Sequence, residues 1–438
     1  MYLTYPKPIK DRTMSLQNDL PELVKAGVIS EDTAADIASY YQGKQTSPAS
    51  KLFVVFGILG AILVGLGIIL IIAHNWDDLS RGLKTVFAFL PLVIGQALCA
   101  FAFLKKPGNT AWRESSSVFL FFAVGASIAL VSQIYHIPGD LGSYLLTWML
   151  LTLPLIYVMQ SPMTSLLCLV GITYYACETS YWGFPTSNSY PYWAMLAAMV
   201  PFYYQLFRKN PLSNFVRFHN WLVPLSLVTV LGTLSATLDE FMFIAYISLF
   251  GFFYLLGTGA WMPQENTKNG YTILGSLGTI ILLLFLSFNE FWEHLFKKEL
   301  QLTEIFASQE FVLIVLLTLA ASVLLYRTIQ QKGIRNLSLF SIAFLVFIPI
   351  FFIGTASTIA VVLVNVLVFL LGVFTIREGS RKNHLGLLNY GLLIITALII
   401  CRFFDTDLSF VARGLLFVGV GAGFFFANYW MIQKRKEK

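Results

Sequence analysis

The chain has 438 residues, of which 57% are hydrophobic and 12% charged, with 29 Lys and Arg against 23 Asp and Glu. A soluble domain carries roughly a quarter charged residues, so water alone cannot solvate this surface and the bilayer is the expected solvent. The formal net charge of +6 is placed along the chain as a topology signal, so no nucleic-acid partner is expected.

Residues 1–50 are polar and lack the short apolar core of a cleavable signal. Within them, LQNDLPELVKAGVISEDTAADIASYYQGK predicts two short helices turning at Gly27, with Ser30 as N-cap and Glu31 and Asp32 in the favoured first turn. We read this stretch as a small cytoplasmic helical hairpin that either packs on the membrane domain or docks a partner. From Leu52 the chain turns apolar, and a crossing helix needs about 20 such residues. That ruler predicts an all-α polytopic bundle over 51–431 with about 14 transmembrane helices. They fall near 52–73, 84–104, 116–134, 141–158, 163–179, 191–207, 219–237, 241–261, 270–288, 310–327, 335–353, 355–376, 383–401 and 409–431. Between two of them, 289–309 carries Phe291, Trp292, Leu295, Phe296 and Leu300 at helical spacing among charges. This predicts an amphipathic helix lying on the outer leaflet. A basic tail, 432–438, closes the chain.

The charges orient these spans. Loops after even-numbered spans, with the tail, hold 17 Lys and Arg, including Arg113, Arg208, Lys332, Arg377 and Arg381, whereas odd-numbered loops hold 6. The positive-inside rule then places both termini in the cytoplasm. Thirteen acids fall on the outer side, among them Asp77, Asp140 and Asp405.

None of the 23 acids lies near the middle of a span; the polar mid-span residues Gln96, Asn365 and Asn389 are neutral and suit interhelical hydrogen bonds. Coupling through a central carboxylate is therefore not expected. There is no GxxxxGK[ST], GxSxG or HExxH, and the four cysteines show no metal-ligand spacing, so no cofactor, metal or catalytic residue is assigned. The pair Gly419 and Gly423, like Gly57, Ala61 and Gly65, reads as a close-packing face. The remaining polarity gathers at the outer boundary, in AHNWDDLSRGLK, QIYHIPGD and CRFFDTDLSFVARG. These stretches offer His74, Asn75, Asp77, Asp78, Arg81, Gln133, Tyr135, His136, Asp140, Arg402, Asp405, Asp407 and Arg413 as a candidate binding cluster. The competing explanation is that such residues fix helix ends.

The stretches GVISEDTAADIASYY, HNW after the first span, QIYHIPGD and the closing RFFDTDLSFVARGLLFVGVGAGFFFANYW resemble the bacterial DUF2157 family of polytopic membrane proteins, and the middle and C-terminal parts are similar to the DUF4401 type. The resemblance implies a bacterial inner-membrane location and suggests a GDYXXLXY-type protein encoded nearby as a partner. It carries no catalytic role. Three functions stay open: a transporter or exporter of an envelope component with a polar outer vestibule, a membrane sensor or assembly scaffold, and a GT-C-like glycosyltransferase using Asp77 or Asp78 as general base.

Overall fold

The computed structural model describes residues 16–44, 76–181, 189–235, 238–259, 269–297 and 302–403, with scattered positions between 410 and 429. Every regular element among these residues is helical. The chain divides into two compact units, Met1–Lys84 and Thr85–Lys438.

In the first unit, α1 (Leu16–Lys25) and α2 (Glu31–Lys44) pack on each other. α1 ends where Gly27 takes φ +69, with Gly27 N–H donating to Val24 O and Val28 N–H to Leu23 O, both at 3.0 Å. These two bonds satisfy carbonyls that a helix end leaves open, and glycine enters the left-handed conformation without strain. The Ser30 hydroxyl accepts from Thr33 N–H at 3.2 Å and starts α2. The turn and the cap are those expected from the sequence.

The second unit holds the long helices. In chain order they are α3 (Arg81–Lys105), whose first turn belongs to the first unit, α4 (Thr110–Tyr135), α5 (Leu141–Met159), α6 (Pro162–Ser180), α7 (Tyr190–Lys209), α8 (Asn214–Leu231), α9 (Met242–Thr258) and α10 (Gly270–Phe285). After two short helices, α11 (Asn289–Lys297) and α12 (Leu302–Ala307), come α13 (Gln309–Lys332), α14 (Ala343–Gly354), α15 (Ile359–Arg381) and α16 (Leu385–Phe403). Eight of them, α3, α4, α5, α8, α9, α13, α15 and α16, are long and apolar enough to cross a membrane, so the chain is a multi-pass membrane protein. At ~1.5 Å per residue, spans of 19–26 residues reach roughly 28–39 Å, enough for a hydrocarbon core of about 30 Å.

Helices also stand at four further expected positions. α10 and α14 are shorter, with 16 and 12 residues, and α6 and α7 are diluted by Ser165, Thr173 and Glu178 and by Tyr203, Tyr204 and Gln205. The expected span at 335–353 becomes helical only at Ala343, because Leu337 and Ser338 are extended between two 3-10 turns. The expected run at 52–73 lies outside the described residues, and 409–431 is described only at scattered positions.

Two cores organise this unit. α9 is apolar on all sides, and 67% of its span (Asp239–Thr258) is buried inside the protein, against 22% for α3. It packs on α8, α10, α13 and α14. Glycine makes the closest approach possible: a Cβ on Gly275 of α10 would lie 2.6 Å from Tyr254 N and 2.7 Å from Phe250 O of α9. Gly391 of α16 likewise faces Ile376 N of α15 at 2.7 Å. The second core joins α4 through α8, with Met149, Ile156, Ile172 and Tyr192 buried at its centre. Trp193 and Val223 touch both cores.

The apolar stripe of α11, expected on the membrane surface, is taken up by the protein at two positions. Trp292 and Leu295 have no exposed surface, and Trp292 Nε1–H donates to Leu286 O at 2.7 Å. Gly354 at the end of α14 leaves the slot that the indole ring occupies.

Candidate functional site

The turn between α4 and α5 explains most of QIYHIPGD. His136 ends α4 in the left-handed conformation at φ 52, its N–H donating to Ser132 O, and the Ser132 hydroxyl donates to Ile137 O at 2.9 Å. Four residues on, Asp140 caps α5: Oδ1 accepts from Ser143 N–H at 2.8 Å and Oδ2 from the Ser143 hydroxyl at 2.9 Å. Those donors favour the carboxylate and lower its pKa below the ordinary 3.8. Tyr135 lies beside them, its hydroxyl 3.0 Å from Thr85 Oγ1, which ties the end of α4 to the start of α3.

Below this turn lies a cavity of about 1000 Å³, walled by α3, α4 and α5. That is at the upper end of small-molecule sites. Its α5 wall includes a stripe, Tyr144, Thr147, Leu151, Leu155 and Val158, three or four residues apart as on one helix face, flanked by Ser143, Thr152 and Pro154. α4 contributes Leu120, Val124, Ile128 and Ser132, and α3 contributes Phe89, Leu92 and Gln96. Along α5 the lining runs from Leu141 to Val158, which at ~1.5 Å per residue is about 26 Å, nearly the thickness of a hydrocarbon core. Asp140 is the one ionisable acid or base in the lining apart from the Tyr144 phenol, and it lies at one end.

The other end is clamped by charge. Arg113, near the start of α4, donates from Nε to Met159 O at 3.0 Å and from its guanidinium to Gln160 O at 2.8 Å. Glu114 accepts from the Ser161 hydroxyl at 2.5 Å and from Met163 N–H at 3.2 Å. The α4 wall is thus fixed to the α5–α6 turn at this end and to the Asp140 turn at the other, which makes the groove a held shape.

Of the described members of the expected outer cluster, Gln133, Tyr135, His136 and Asp140 are exposed around one turn. Arg402 stands elsewhere: its guanidinium donates to the Ser287 hydroxyl at 3.1 Å and lies 4.7 Å from the Phe288 ring centre. Beside it, Asn365 Nδ2 donates to Ser287 O, in the turn between α10 and α11, at 3.0 Å, and to Val361 O of its own helix at 2.8 Å. Asp77, Asp78 and Arg81 are exposed residues of the first unit. His74, Asn75, Asp405, Asp407 and Arg413 lie outside the described residues. Among the described residues no three His, Cys, Asp or Glu side chains come together as a metal site.

One buried polar cluster was not anticipated. His219, 1% exposed in the second turn of α8, has Nδ1 2.8 Å from Phe215 O and Nε2 3.0 Å from the Ser165 hydroxyl of α6. A carbonyl can only accept, so Nδ1 carries the proton and in the neutral ring Nε2 accepts from Ser165. Tyr203 of α7 stacks on the imidazole at 5.4 Å and donates to Asn220 Oδ1, while the Tyr271 hydroxyl of α10 stands 3.5 Å away. Asn220 Nδ2 is buried with no partner among the described residues. Four helices from both cores meet at this cluster. The signal was present in the sequence: His-Asn-Trp occurs twice, at 74–76 and at 219–221.

No curated protein and no solved structure matches the chain. Residues 21–165, which hold all three walls of the groove, match the model of the DUF2157 family, described as a predicted membrane protein, and this is the family that the chain resembles.

Proposed function

We propose that the protein moves an amphipathic envelope component, with an apolar tail and a cationic or zwitterionic head, along the groove of α3, α4 and α5. The observation that carries this reading is the groove itself: apolar, about 26 Å long by ~1.5 Å per residue, and bordered at one end by an ionised carboxylate. An apolar wall accepts a tail by the same burial that folds a core. An amine-bearing head finds the exposed Asp140 carboxylate at the mouth, whose negative charge attracts a cation. Gln96 and Thr147 offer the head hydrogen bonds on the way. The distribution of Lys and Arg supports an outward-facing Asp140 end and a cytoplasmic Arg113 end, hence export in a bacterial inner membrane.

The test is transbilayer movement of an acyl-labelled phosphatidylethanolamine in reconstituted vesicles, followed by quenching from outside. The protein accelerates movement over empty vesicles, and Asp140→Asn slows it about tenfold, the effect of losing one charge-assisted hydrogen bond. Asparagine caps a helix as well as aspartate, so this variant removes the charge and keeps the fold. Movement no faster than in empty vesicles overturns the reading.

A further inference from the structure

A second, smaller cavity of about 220 Å³ lies where α15 ends, between its last turns and the extended segment before α14. Its wall has two chemistries. Arg377, Arg381, Asn336 and Ser338 are polar, whereas Phe374, Leu337 and Leu339 are apolar. Arg377 and Arg381 are four residues apart, on one face of α15, and both are exposed. Two like charges at this spacing repel, a cost that a bound anion removes. The one acid in the wall, Glu378, is bonded by Lys382 Nζ at 2.6 Å, so the two arginines with this ion pair leave the local charge positive. Basic residues at a helix C-terminus are favoured by the helix dipole alone. That effect explains neither a cavity lined by both guanidinium-bearing residues nor the apolar residues that share its lining. The position is also specific: the apolar part of α15 ends at Ile376, so the cavity stands where the hydrocarbon gives way to headgroups.

We propose that this cavity binds a phosphate group, and that the group is the headgroup phosphate of an anionic phospholipid. Arginine offers a planar fork of donors matched to phosphate oxygens. The apolar residues of the lining, Phe374 one turn before Arg377 on α15 and Leu337 and Leu339 on the facing segment, suit the first carbons of an acyl chain, which free phosphate lacks. Basic pockets between membrane helices are a recurrent form of such sites. This inference stands apart from the groove and does not depend on transport.

The test is thermal unfolding of the detergent-purified full chain with short-chain phosphatidylglycerol, short-chain phosphatidylcholine or inorganic phosphate. Phosphatidylglycerol raises the midpoint in a saturable way, phosphatidylcholine does not, and Arg377→Gln with Arg381→Gln weakens the apparent affinity about tenfold or more. The paired change Arg208→Gln with Lys209→Gln, at another basic helix end, leaves the shift intact. If the Arg377 and Arg381 variant is misfolded, native mass spectrometry of the unaltered protein still decides the point, by retained phosphatidylglycerol in preference to phosphatidylcholine. Equal stabilisation by inorganic phosphate overturns the lipid assignment. Equal responses to the two lipids, or an unaltered response in the arginine variant, overturn the site.

Discussion

At Asp140 the carboxylate that caps α5 also borders the groove, and its two roles respond to different changes. Its folded pKa is lowered by the Ser143 donors, so the ionised cap contributes fully above the ordinary value of 3.8 and is lost as the pH falls through the lowered one. Protection factors of the first turn of α5 are therefore expected to be flat from about pH 5 to 8 and to fall only below about pH 4. A loss near neutral pH contradicts this account of the cap. The His219 cluster is a residue-scale matter of another kind. Its imidazole bridges α6 and α8 and stacks on α7, so His219→Ala removes a ring and strands the Ser165 hydroxyl. We expect a loss of about 2–4 kcal/mol, from cavity and unmade hydrogen bond together, seen as a lower unfolding midpoint. An unchanged midpoint excludes a structural role.

Among the elements, glycine separates contacts that hold helices together from surfaces that do not. The sequence offered Gly419 and Gly423 as a packing face, but a Cβ at either meets none of the described residues within 4 Å. The close approaches are at Gly275 and Gly391, where backbone atoms stand in the way. Gly275→Ala is thus expected to destabilise by about 1–3 kcal/mol, as overpacking does, while Gly419→Ala is near neutral. Thermal unfolding of the two variants side by side checks the contrast. Spacing alone cannot distinguish them, because small residues recur on many faces and only the partner helix shows which are covered. The same limit applied to α11: its amphipathic stripe was legible, but the slot that receives Trp292 is left by Gly354, about sixty residues further along the chain.

For the whole molecule, helical class and the positions of most helices were legible because twenty-residue apolar runs have few other uses. The break before α14 was not, since Leu337 and Ser338 are unremarkable in a hydropathy pattern. Of the proposed site, Asp140 and its turn stand out in the sequence by their polarity, and the polar stretches flag helix ends. The groove was missed because its walls are apolar residues indistinguishable, in sequence, from those that face lipid. His219 was missed because one polar residue near the start of a span reads as part of a helix end. The central claim is that an amphipathic molecule travels along the groove, and blocking the groove tests it most directly. Thr147 lies on the α5 stripe, two turns from Asp140 and three from the Arg113 clamp, so Thr147→Trp fills the path without replacing either end. In the vesicle assay the account predicts movement at the rate of empty vesicles, with an unfolding midpoint close to that of the unaltered protein. Undiminished movement by a folded Thr147→Trp variant would contradict it.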